Sequence, residues 1–169
     1  MGCLNDVAWV RIEGDATRDT SGGIRRYLTD AFEEGLRKFI IDLEQCRLID
    51  STFIGILSGL AGKIARQGDC TDAVKVIHSN ERNEKSICKL GLNHMITIVR
   101  DGPDSEDLEK EARSCLDLLD DDDPSDKTEK ASMILRAHED LCAANEENED
   151  EFRDVLNYLR QDLDNSTSN

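Results

Sequence analysis

The chain has 169 residues, 38% of them hydrophobic, with 21 Lys+Arg against 37 Asp+Glu. Residues 1–102 hold 14 basic and 15 acidic side chains, while residues 103–169 hold 7 and 22, so a near-neutral part of ordinary domain size precedes an acidic extension. That charge argues against nucleic acid and anionic membrane as partners, since both would be repelled.

The six cysteines (Cys3, Cys46, Cys70, Cys88, Cys115 and Cys142) are scattered, with no C-x-x-C pair. Neither a zinc site nor a redox motif is expected, and no cofactor or metal is called for. The first residues, Met1 to Asp6, lack the layout of a signal peptide. The longest apolar stretch, Phe53 to Ala61, is far shorter than the ~20 residues that span a bilayer. A cytoplasmic protein with reduced thiols is the expectation.

In chain order, Val7 to Glu13 reads as a strand ending at the Gly14-Asp15 turn signal, and residues 15–22 admit either a short strand or a loop. Ile24, Tyr27, Leu28, Ala31 and Phe32 recur at helical spacing, with Gly35 as a C-terminal stop. Phe39 to Leu43 is a second strand. A helix over about Thr52 to Arg66 follows, then a strand at Ala73 to His78. Asn80 caps a helix running to about Leu90, Gly91 ends it, and Met95 to Val99 forms a last strand. This alternation predicts an α/β sandwich, helices on a mixed sheet.

Beyond Pro103 the character changes. Leu108, Ala112, Cys115 and Leu119 make one amphipathic segment, closed by the run Asp120 to Pro124. Two more follow. One carries Ala131, Ile134, Leu135, His138, Leu141 and Cys142, the other Phe152, Val155, Leu156, Leu159 and Leu163. Asp126 with Glu129, and Asn148 with Glu151, have capping-box spacing, so these two segments are expected to form a helical hairpin. The expected organisation is a domain over 1–102, an acidic helix and linker over 103–125, and the hairpin over 126–165. The hairpin is expected either to pack with its acids in water or to cover the Ser51 surface as an internal regulator.

The segment Arg47 to Gly55 carries the strongest functional signal. It joins a buried strand to a helix, and it sets Ser51 where free backbone N–H groups and the helix dipole favour negative charge. Ser51 reads as an ordinary N-cap, as a hydroxyl that accepts a phosphate, or as both. Asp50 reads as a cap, as a partner of Ser51, or as a phosphoacceptor in its own right, which would need an acidic pair near Glu13 and Asp15. Gly55, Gly59 and Gly62 form a stripe that implies close approach of a neighbouring element or a flat docking face. No G-x-S-x-G elbow or phosphate loop is present, and His78, His94 and His138 fall in separate elements, so an enzyme is not expected.

Ile49-Asp50-Ser51-Thr52-x-x-Gly55 in this element order resembles the STAS domain of anti-sigma factor antagonists, over about residues 6–100, the Leu90-Gly91-Leu92 turn included. The resemblance implies a STAS-like sandwich with a mixed four- or five-stranded sheet, followed here by the helical hairpin. It implies a phosphorylation-switched binding module in bacterial signalling and transcription regulation, with Ser51 the phosphoacceptor and Thr52 the alternative. Asp50, Ser51, Thr52 and Gly55 would meet the partner, an anti-sigma factor that is also a serine kinase of the histidine-kinase-like type; a serine phosphatase would reverse the modification. Phe53 departs from the family's usual Gly. The rival expectation is a scaffold or self-association module in which Ser51 is only a helix cap.

Overall fold

In the computed structural model, residues 1–4, 6–68, 72–100 and 126–167 are described. The expected segment 103–125, with its apolar stripe and acidic run, lies outside them, as do Cys70 and Cys115. Strands β1 (Gly2–Leu4), β2 (Val7–Ala16), β3 (Lys38–Ile49), β4 (Val74–Ile77) and β5 (Thr97–Val99) form one sheet in sequence order. β1 runs antiparallel to β2 and all other pairs are parallel, so the sheet is mixed. Helices α1 (Ser21–Glu33), α2 (Ser51–Arg66) and α3 (Glu81–Lys89) connect the parallel strands. Helices α4 (Lys127–Ala144) and α5 (Glu147–Thr167) make the C-terminal hairpin.

Alternation along the strands sorts two faces. Ala8, Val10 and Ile12 of β2 and Phe39, Ile41 and Leu43 of β3 join the main core with α1 and α2. Trp9, Ile40 and Ile77 form a second, smaller cluster on the reverse face. There Trp9 lies opposite Ile40 and Arg11 opposite Asp42.

Several boundaries differ from expectation. β1 carries too few residues to show a period; its partner β2 supplies the pattern. β2 runs past Gly14 to Ala16, because two register irregularities and a positive φ of 85° at Gly14 let the ladder continue. The ambiguous stretch therefore divides, with strand through Ala16 and a turn before Ser21. β3 extends to Ile49. β5 is shorter at its start, since Leu92–His94 form a 3₁₀ turn whose Leu92 carbonyl accepts from both Met95 and Ile96. Gly35 ends α1 as expected: its N–H bonds the Phe32 carbonyl and that of Leu36 bonds the Ala31 carbonyl, the paired bonds of a Schellman stop.

The hairpin belongs to the main core. Met133, Ala137, Leu141, Phe152 and Leu156 join it, so α4 is buried toward α2 as well as toward α5. Asp126 caps α4 as expected, accepting from the Glu129 N–H at 2.8 Å. Asn148 does not cap α5. It lies inside the helix, buried, and its amide donates to the carbonyls of Leu90 (3.0 Å) and Leu141 (2.9 Å). Its expected box partner Glu151 instead meets Lys89 at 2.7 Å on the surface. Replacing Asn148 takes a donor from both carbonyls, of which that of Leu141 keeps the Asn145 N–H at 3.2 Å, whereas the Lys89–Glu151 pair is exposed. Urea unfolding of Asn148→Ala should show a loss of about 1–3 kcal/mol, and Glu151→Ala a loss below about 1 kcal/mol.

Candidate functional site

The site is the handover from β3 to α2. The Ile49 N–H donates to Asn83 Oδ1 at 3.2 Å and the Asp50 N–H donates to the Ala16 carbonyl at 3.0 Å. The end of β3 is thus pinned by α3 on one side and β2 on the other. Asp50 is the N-cap. Its backbone is extended (φ −103°, ψ 176°), one carboxylate oxygen accepts from the Phe53 N–H at 3.0 Å, and the other accepts from the Arg18 N–H at 2.8 Å. Of the two caps expected, Ser51 and Asp50, the structure uses Asp50. A carboxylate reaches the free N–H groups of the first turn with full charge, so the acid takes that role and Ser51 becomes the first residue of the helix.

Freed from capping, the Ser51 hydroxyl turns toward α4, where its oxygen lies 3.0 Å from His138 Nε2. His138 Nδ1 is 2.8 Å from the Ile134 carbonyl, so Nδ1 carries a proton; in the neutral ring of that tautomer Nε2 accepts from Ser51. His138 is 4% exposed and meets the Phe152 ring edge-on at 4.8 Å. Sequence reading placed it on the apolar stripe without a partner; the only local signal was an imidazole in a row of aliphatic residues. Serine and imidazole stand in the sense of a nucleophile and its base. The imidazole, however, is oriented by a backbone carbonyl and is sealed between α2 and Phe152, so a substrate enters only if α4 moves.

The rest of the expected set sorts by face. Thr52 is 2% exposed and Phe53 is fully buried in the core, so Phe53, in the position of the family's Gly, does not stand over the Ser51 hydroxyl. Ser51 is half-buried. Gly55 and Gly59 lie on the α4 side. A Cβ on Gly55 would fall 2.6 Å from the Ala137 carbonyl carbon, and one on Gly59 would fall 2.8 Å from the Asp140 carboxyl carbon. Ser58 Oγ adds a 3.2 Å bond to the Asp140 carbonyl. Gly62, by contrast, would make only ordinary contacts. The neighbour implied by the glycine stripe is therefore α4.

A phosphoacceptor role for Asp50 lacks its acidic pair: Glu13 is exposed, and Asp15 is held by Arg47 at 2.9 and 3.0 Å. On the reverse face, Asp42, Glu44 and His78 lie close enough to share an ion. Buried Asp42 is already met by Arg11 Nε at 2.7 Å and His78 Nδ1 at 3.0 Å, so a cation there competes with a guanidinium. Burial pushes the Cys46 and Cys142 thiols up, as suits packed rather than reactive cysteines.

Burial also pushes the Asp140 carboxyl above its usual range, against the pull of Lys63 and Arg66. A raised folded value means that ionised Asp140 weighs against the folded state, and its contribution falls as pH rises through the unfolded and then the folded value. Asp140→Asn should therefore melt higher than the parent at pH 7, with the difference vanishing below the carboxylate range; thermal melts across pH read this directly.

A family model described as the STAS domain matches residues 3–101, a range that ends before α4. Among solved structures, the crystal structure of a candidate anti-sigma factor antagonist from Thermotoga maritima is similar at 19% identity and a TM-score of 0.53, over 64% of this chain and 89% of that one. The NMR structure of the same protein gives 17% identity and 0.51, over 66% and 85%. The anti-sigma factor antagonist SpoIIAA in its unphosphorylated form gives 14% and 0.49, over 65% and 93%. The likeness to the Thermotoga maritima protein is one of fold.

Proposed function

Because the chain belongs to the STAS domain family, we propose that it is a protein-binding module of the anti-sigma factor antagonist type, switched by phosphate on Ser51. It is a signalling component rather than an enzyme. Its partner is an anti-sigma factor that is also a serine kinase, and a serine phosphatase resets it. The observation that carries this reading is the Ser51 hydroxyl itself: first in α2, released from capping by Asp50, half-buried, and bonded to His138 of the C-terminal extension and, among the described residues, to no group of the domain. In the transfer, Ser51 Oγ bonds to the γ-phosphorus of a nucleoside triphosphate held by the kinase. The bond to the nucleoside diphosphate breaks, and the hydroxyl proton leaves to a base of the kinase. Buried Thr52 is the poorer acceptor. A phosphate of charge near −2 beside Asp50 then adds repulsion and desolvation at the partner surface formed by Asp50, Ser51 and Gly55.

Intact mass after incubation with the source organism's anti-sigma factor kinase and ATP should show one added phosphoryl group, absent in Ser51→Ala. In titrations against that kinase, Ser51→Asp should bind about a hundredfold more weakly, roughly 3 kcal/mol, with Ser51→Ala near the parent. No phosphoryl gain, together with equal affinity for both variants, refutes the switch.

A second reading is favoured by the same hydrogen bond. Ser51 then serves as an anchor between α2 and α4 in a scaffold. On that reading Ser51→Ala lowers stability by about 1 kcal/mol and leaves partner affinity unchanged.

A further inference from the structure

From the packing of α4 on α2, we infer that the hairpin and a phosphate on Ser51 exclude one another, so that the chain carries its own competitor for the partner-binding face. The inference rests on Ser51 being the phosphoacceptor. It adds that α4 is the resident occupant of that face and that modification and docking are linked in both directions.

Three observations carry it. First, the direction in which the hydroxyl points is already taken: His138 Nε2 stands 3.0 Å from Ser51 Oγ, where phosphorus and three further oxygens would follow from the present rotamer. His138 cannot simply swing away, because Nδ1 is tied to the Ile134 carbonyl and Phe152 backs the ring. Second, α4 cannot draw back a little along α2. The Ala137 carbonyl lies on Gly55, Asp140 on Gly59, and Ser58 is bonded to the Asp140 carbonyl, so the two backbones meet along the helix and not at one point. Packed interfaces of this kind give way as a unit. Third, Asp50 already stands next to Ser51, so a phosphate held under α4 would be kept beside a carboxylate.

The same packing blocks the forward reaction. A kinase that meets Ser51 Oγ in its present direction comes from the side on which α4 lies, so on this inference the hairpin leaves first and phosphate then keeps it away. The released hairpin remains part of the same molecule and so stays at high effective concentration. Docking is therefore the default state, to be displaced by a partner that binds the face of α2 more tightly than α4 does.

The test needs no kinase. Phosphoserine is placed at position 51 of the full chain by genetic encoding, and hydrogen exchange is followed peptide by peptide against the unmodified chain. Gly55→Ala, which lodges a methyl group against Ala137, serves as a release standard. Exchange in α4 and α5 should quicken by about tenfold or more in the phosphorylated chain, as in Gly55→Ala, while β2–β4 stay protected. Unchanged protection of α4 and α5 would mean that the phosphate has turned to solvent with the hairpin in place, and overturns the inference. Loss of protection spread evenly over sheet and hairpin, repeated in the milder Ser51→Glu chain, also overturns it, because the hairpin is then not the element displaced. Failure here with normal phosphorylation by the kinase leaves the switch standing without its competitor. Release here with no kinase acting on Ser51 removes the switch and leaves the exclusion.

Discussion

The fit of one helix against another through two missing side chains governs this molecule. Gly55 and Gly59 let the backbone of α4 lie directly on α2, with the Ala137 carbonyl and the Asp140 side chain in the places of their absent Cβ atoms. Each glycine costs α2 up to about 1 kcal/mol of helix propensity relative to alanine. The cost is offset because close approach removes the outer face of α2 from water, and the residues from Thr52 to Ala61 are all buried. A helix buried on every side is expected in the centre of a large protein. Here a small domain achieves it by folding its own extension over the connection that would otherwise be its most accessible.

That packing changes what the β3–α2 junction means. Asp50 satisfies the first turn with a full charge and also holds the loop at Arg18, so the serine beside it has no backbone duty. A hydroxyl so placed is free to meet whatever lies over the helix start. In the described structure that is an imidazole from 87 residues further along the chain. Positive potential at the helix start, a carboxylate already in place and a hydroxyl not used for capping together make a position where one added charge has a large effect.

Much of this architecture is legible in the chain. The short apolar run Phe39-Ile40-Ile41-Asp42-Leu43 and the helical stripe from Ile24 to Phe32 gave fold class and order, because the one reports a strand buried on both faces and the other a helix buried on one. Three features were not legible, for separate reasons. β1 is three residues long and shows no period of its own. The choice between Asp50 and Ser51 as cap turns on one residue, and both side chains are good caps. Asn148 and His138 have their roles through contacts with Leu90 and Ser51, which lie 58 and 87 residues away. The glycine stripe announced a close neighbour without naming it, since the complementary face of α4 (Met133, Ala137, Asp140) bears no mark of its own beyond being small or flexible at the crossing.

The acidic extension raises the question of how so negative a segment stays on a near-neutral domain. Its contacts separate by chemistry. Met133, Ala137, Leu141, Phe152 and Leu156 face the core, while most acids remain in water, and Lys89–Glu151 is one exposed bridge to the domain. Exposed pairs of this kind contribute about 1 kcal/mol or less and weaken with salt, so apolar burial holds the hairpin down and charge has little part in it. Asp140 is the exception, a carboxyl carried partly out of water at the crossing point and unfavourable there when ionised. The hairpin therefore docks against a small electrostatic penalty of its own. A ligand that competes with it need match only the apolar and backbone contacts along Gly55 and Gly59. By linkage, whatever factor the docked hairpin takes from a partner's affinity, the partner takes from the hairpin's.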